Sequence, residues 1–186
     1  MRLNLGCGNR KFDGYLNVDK FATCEPDRVV DLEVLPWPFE TDSAEEILMS
    51  HVLEHLGPLP EQFMAIMKEL YRVAAPGAPI RITVPHPRSD LYIADPTHVR
   101  PITPQLFSLL SKAANRQAIA EGLANSPLGL YYDVNFRTLK IDYRLNPRWG
   151  AKMQSGEVDQ AAVMAAMDSQ WNVIDEVEIT LEAVKG

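Results

Sequence analysis

The residues best suited to chemistry stand at two places where apolar runs break off. In Leu3-Asn4-Leu5-Gly6-Cys7-Gly8 a short strand of the buried type runs into two glycines, where the lack of a Cβ lets backbone approach a ligand closely. The next strand-like run, Tyr15-Leu16-Asn17-Val18-Asp19, ends on a carboxylate. At the carboxyl end of a neighbouring parallel strand, a carboxylate can grip the hydroxyls of a nucleoside ribose. A third run, Val29-Val30-Asp31-Leu32, carries another acid. The second place is the polar segment Pro85 to Pro101, which holds His86, Arg88, Asp90, Asp95, His98 and Arg100 just past the strand-like Ile80-Arg81-Ile82-Thr83-Val84. Open α/β sheets bind ligands at that end of their strands.

A dinucleotide-binding turn would need a third glycine, a full helix and an acid about 20 residues on. Asn9 to Gly14 leaves room for a loop and little else.

A sheet has to position these groups. Glu46 to Ser50 supplies a further buried strand, and Glu61 to Ala75 a helix, with Phe63, Ile66, Met67, Leu70 and Tyr71 on one face and a Pro76-Gly77 stop. The prolines of Leu35-Pro36-Trp37-Pro38-Phe39 forbid regular structure there, and its aromatics fit a core plug and a wall beside an adenine ring, two uses that do not exclude each other. The order of strand, strand, strand, strand, helix, strand predicts an α/β fold: a mostly parallel sheet with abbreviated helices on one face. Thr103-Pro104 predicts a capped helix start, with Leu106, Phe107, Leu109, Leu110 and Ala113 facing inward and helix continuing to Ala124. Leu139 to Leu145 and Val177 to Ala183 alternate apolar with polar residues, which predicts half-exposed strands in an antiparallel C-terminal edge. Val158, Ala161, Ala162 and Ala165 predict a helix between them, capped near Ser155.

A length of 186 residues fits one domain over residues 1–186, able to bury about 70% of its unfolded surface. Cys7 and Cys24 are too few for a disulfide framework and read as reduced thiols. A net charge of −7 argues against a general nucleic-acid binder, and the late cations Arg137, Lys140, Arg144, Arg148 and Lys152 read as a solvated face. With no charged leader and no run near the roughly 18 apolar residues of a membrane span, the expectation is a cytoplasmic protein without a membrane partner. The sequence leaves oligomeric state open.

The ordered set Leu-Asn-Leu-Gly-Cys-Gly at 3–8, Asn17-Val18-Asp19, Asp31-Leu32 before Leu35-Pro36-Trp37-Pro38-Phe39, and His51-Val52-Leu53-Glu54-His55 before a helix ending at Pro76-Gly77 resembles the class I S-adenosylmethionine-dependent methyltransferases. It is most similar to the small bacterial ones of the methyltransferase type 11 kind. Asp95-Pro96-Thr97-His98-Val99-Arg100 resembles an element of a subset of them. The resemblance implies a Rossmann-like sheet and S-adenosylmethionine as cofactor. It implies that Gly6, Cys7 and Gly8 pass under the methionine part, that Asp19 takes the ribose, and that Asp31 and Leu32 hold the adenine. Ser50 and His51 would then lie near the transferred methyl. The expected reaction is methyl transfer to O or N of a small-molecule or glycan-type acceptor. His98 is the first candidate base, with Asp95 as orienter or substrate contact and His86 as alternative base, because imidazole can be neutral near working pH.

Two rivals remain. His51-Val52-Leu53-Glu54-His55 also spells the inverted zinc-protease signature, which requires the motif inside a longer helix and a further ligand from elsewhere. The residues before His51 look like strand and Gly57-Pro58 closes the segment, so no metal is assigned. The other rival is a non-catalytic methyltransferase-like binding or scaffold domain, since fold does not imply function.

Overall fold

The computed structural model describes residues 1–185. Seven strands form one sheet: β1 (Arg2–Leu5), β2 (Leu16–Asp19), β3 (Arg28–Val29), β4 (Glu46–Ser50), β5 (Pro79–Pro85), β6 (Phe136–Leu145) and β7 (Ile174–Ala183). Their order across the sheet is β3-β2-β1-β4-β5-β7-β6. The first five pair in parallel. β7 runs antiparallel to both β5 and β6, so the antiparallel pairing at the C-terminal edge comes from one strand inserted beside the outermost. The chain builds outward from β1 to β3 and then returns to β4 on the other side of β1. The order therefore reverses between β1 and β4, where open α/β sheets form a crevice at their carboxyl ends.

The core follows the apolar runs. Leu3, Leu5, Ile47, Met49, Ile80, Ile82 and Val84 are buried on the sheet, and Phe63, Ile66, Met67 and Leu70 of α1 (Pro60–Val73) are buried with them. Tyr71 sits at the border of that face and its hydroxyl donates to Val184 O at 2.8 Å. The remaining helices are α2 (Asp90–Ile93), α3 (Pro104–Leu109), α4 (Lys112–Ala120), α5 (Leu128–Tyr131), α6 (Pro147–Gln154) and α7 (Gln160–Ser169). None among the described residues is long and apolar enough to cross a membrane.

Several expectations are corrected. The helix expected from Thr103 to Ala124 breaks after Leu109, because Ser111 caps a new helix by accepting from Ala114 N; Asn115 and Ala118 then face inward and Ala113 is exposed. Thr103 occupies the cap position of α3 without a side-chain cap bond. The cap of the following tail helix is Asp159, not Ser155, and the buried face is Val163 and Ala166, leaving Ala161, Ala162 and Ala165 in solvent. β3 stops at Val29, since Asp31 folds into a turn with its Oδ1 accepting from Glu33 N at 2.9 Å. On β6, Leu139, Ile141 and Tyr143 stay largely exposed because this strand forms the outer edge of the sheet.

Trp37 resolves the two uses of the proline-aromatic loop. It is 2% exposed and its Nε1 donates to Leu32 O at 2.9 Å, so it plugs the core rather than walling a ligand. The Glu69–Arg72 pair on α1 anchors it from both sides: Glu69 Oε2 accepts from Trp37 N at 2.7 Å, while Arg72 donates to Trp37 O and Phe39 O. Replacing Trp37 by Ala removes a large buried ring and one hydrogen bond. We expect a loss of about 3–5 kcal/mol, measured by urea unfolding; a change under 1 kcal/mol would contradict this packing role.

Candidate functional site

A cavity of about 340 Å³ opens at the carboxyl ends of β1, β2 and β4. Four chain segments line it: Gly6 after β1; Asp19, Lys20 and Phe21 after β2; Val30, Asp31 and Leu32 after β3; and His51, Val52, His55 and Leu56 after β4. Thr97 closes it from the loop after α2.

Gly6 has φ +66°, and a Cβ there would stand 2.3 Å from Val52 Cγ2. Its side chain is missing chiefly so that the β4 segment can pack onto the turn, which corrects the expectation of ligand approach alone. Gly8 has φ +49° with open space where its Cβ would stand. The carboxylate of Asp19 fixes this turn from the next strand, with Oδ2 accepting from Gly8 N at 2.8 Å and Oδ1 from Phe21 N at 2.9 Å. Cys7 is buried, and burial followed by the nearby Asp19 charge pushes its thiol above the ordinary value, which disfavours the thiolate that nucleophilic attack requires.

The turn stands on loops where helices are absent, and two buried amides organise the first of these. Asn4 Nδ2 donates to Arg10 O and Asn17 Oδ1, both at 2.9 Å; Asn17 Oδ1 also accepts from Phe12 N, and Asn17 N and Nδ2 both donate to Asp27 Oδ2 at 2.8 Å. Backbone groups that a helix would pair are satisfied here by side chains.

At the end of β4, Ser50 stays within the strand and off the cavity wall, whereas His51 turns into the cavity at φ +55°, a left-handed conformation that costs a non-glycine residue energy. Its ring lies 3.5 Å from Glu54 Oε1 and 3.2 Å from Glu176 Oε1. The Glu54 carboxylate, and secondarily Glu176, raise its pKa against the opposing effect of burial. Leu53–His55 forms a single 3-10 turn, so the long helix that the zinc-protease signature requires is absent here.

The candidate base residues divide. Thr97 Oγ1 donates to Asp95 Oδ1 at 2.6 Å and lies 2.9 Å from His55 Nδ1. His98 stands behind that wall: its side chain is 7% exposed, its ring stacks on Tyr92 and meets His55 edge-on, and its Nδ1 lies 2.6 Å from Tyr92 O. Asp95 is half-buried, with its pKa lowered by the Thr97 hydroxyl and then the Thr97 amide. His86 lines no part of the cavity. Its Nδ1 accepts from Arg88 N, and burial, then Arg88, lower its pKa. Of the residues singled out in the sequence, the cavity therefore gathers Gly6, Asp19, Asp31, Leu32 and His51, with Cys7, Gly8, Ser50, Asp95 and His98 beside or behind it. Lys20, Phe21, Val30, Val52, Leu56 and Thr97 also line the cavity without belonging to any candidate set in the sequence; for Phe21 the available signal was an aromatic two residues after the carboxylate that ends β2.

No family model matches the sequence, and no curated protein matches it. Solved structures do. A SAM-dependent methyltransferase from Archaeoglobus fulgidus is similar over 97% of this chain and 84% of its own, at 18% identity and a TM-score of 0.65. A geranyl diphosphate methyltransferase in complex with SAM is similar over 98% and 77%, at 13% identity and TM-score 0.51. The cyclase SpnF is similar over 99% and 75%, at 14% identity and TM-score 0.54. The fold is that of the class I methyltransferases, and one of these neighbours carries the name of a different activity.

With its pKa raised, His51 stabilises the fold through its carboxylate contacts fully below about pH 6.5, and this contribution is lost as pH rises through its folded value. Histidine NMR titration is expected to place His51 above the ordinary range and to show it lowered in Glu54→Gln and, less strongly, in Glu176→Gln. A His51 that titrates below the ordinary value would overturn this electrostatic assignment.

Proposed function

From the class I methyltransferase fold and its cavity at the strand reversal, we propose that the protein is an S-adenosylmethionine-dependent methyltransferase acting on O or N of a small-molecule or glycan-type acceptor. The observation that carries this reading is the Asp19 carboxylate, which locks the Gly8 turn and the Phe21 backbone at the mouth of the cavity.

The residues fit the cofactor. Each Asp19 oxygen holds one backbone N–H and keeps a lone pair for a ribose hydroxyl. Phe21, 59% exposed, together with Val30 and Leu32, offers apolar surface for an adenine ring, and Asp31 offers an acceptor for its amino group. The positive φ of Gly6 and Gly8 keeps the turn open beneath a methionine moiety. The bound cofactor supplies a methyl carbon already activated by its sulfonium. The chain's own residues have to orient the acceptor in line and exclude water. His55 and Thr97 form the wall on which the acceptor lodges. Asp95 and His98, the sequence candidates for chemistry, hold that wall in place from behind: Asp95 takes the Thr97 hydroxyl and His98 packs on His55. The net charge of −7 supports a small or glycan-type acceptor over a nucleic acid.

Calorimetry tests the site. Asp19→Ala is expected to weaken S-adenosylmethionine binding by about 1–3 kcal/mol, and Phe21→Ala by about 1–3 kcal/mol through lost stacking. Unchanged affinity in both variants would remove the cofactor from this cavity.

A further inference from the structure

Glu54 is 0% exposed, and neither oxygen of its carboxylate has a hydrogen-bond partner. Such a group is costly to bury unless a cation meets it. His51 approaches only Oε1, and at 3.5 Å. Two imidazoles face the same spot. One ligand atom from each of Glu54, His55 and His98 lies within 4.8 Å of the other two.

The hydrogen bonds fix the tautomers. Tyr92 O can only accept, so His98 Nδ1 carries the proton. The Thr97 hydroxyl gives its hydrogen to Asp95, so His55 Nδ1 must donate to Thr97. In neutral rings both Nε2 atoms then hold free lone pairs, each oriented by an acceptor on the opposite nitrogen, as histidine ligands of metals usually are. We propose that Glu54, His55 and His98 bind a divalent transition-metal cation at the wall of the cavity. This replaces the expectation of no metal drawn from the sequence, and the ligand set differs from the one the zinc-protease signature implies, with His98 in place of His51.

Two histidines and one glutamate make a three-ligand set that leaves a coordination position open. Of the three ligands His55 lines the cavity, beside Thr97, so the site adjoins it. Bonds of about 2.0–2.2 Å put tetrahedral neighbours about 3.4 Å apart, and the three side chains close inward on the ion. A cation there lowers the pKa of a coordinated hydroxyl and orients it, which would favour oxygen acceptors. That use rests on the methyltransferase reading; the metal site itself does not.

The test is Zn²⁺ titration of the chelator-stripped full chain in competition with a chromophoric chelator. One equivalent should bind, and Glu54→Gln and His55→Gln should each weaken binding more than about tenfold. Thr97→Val, which removes the His55 orienter, should weaken it less, and His86→Gln should leave it unchanged. Binding that is absent, or equal in wild type and Glu54→Gln, would overturn the site. S-adenosylmethionine calorimetry on the same samples separates the two readings: zinc without cofactor supports the metal site and refutes the methyltransferase, and cofactor without zinc does the reverse.

Discussion

One carboxylate joins the two turns on which the cavity depends. Asp19 reaches from the end of β2 to the backbone of Gly8 after β1 and closes on Phe21 in its own turn. No α-helix starts at either turn, and only a short 3-10 turn, Ala22–Cys24, follows Phe21, so side-chain acceptors take over the fixing of backbone N–H groups. The same carboxylate faces the cavity. The structural bond and the proposed ribose contact therefore draw on different lone pairs of one group, and loss of Asp19 would loosen the cavity while removing a contact from it.

The thin helical cover has a second consequence. With the loops after β1 and β2 pinned by Asn4, Asn17 and Asp27 rather than by packed helices, the apolar mass of the protein sits around β1, β4, β5 and β7 and against α1. Trp37 extends this core under the β3 loop, tied to α1 through Glu69 and Arg72. The loops on this side of the cavity thus stand on polar networks at their base and on a buried indole at their flank. Opposite them, the Asp95–Thr97–His55 chain and His98 form a polar wall with a buried carboxylate at its back.

Much of the fold was legible because buried parallel strands write themselves as apolar runs. Leu3–Leu5, Ile47–Met49 and Ile80–Val84 place three neighbouring strands, and α1 shows its face by spacing. The tail was harder to read. Alanine-rich stretches have no strong apolar face, so Asp159 and not the alanines set α7, and Ser111 cut a helix that composition alone would have continued. Of the cavity lining, Gly6 and Asp19 were visible at strand ends, and Asp31 stood in an apolar run whose strand stops two residues earlier, at Val29. Thr97 was hidden because its contact comes from a partner distant in sequence, His55, and the nearness of Glu54 to His98 is likewise a product of the fold, although Glu54 itself stood out in the zinc-protease signature. His98 looked like a free base in the sequence, but the stacking of Tyr92 over its ring withdraws it from the cavity wall.

The measurement that bears most directly on this account is calorimetric titration of the wild-type chain with S-adenosylmethionine, followed by competition with S-adenosylhomocysteine. Saturable one-to-one binding in the micromolar range, about −8 kcal/mol, displaced by the product, is the expected result. An absence of saturable binding by a folded protein would contradict it, leaving a methyltransferase-shaped fold whose cavity serves another ligand.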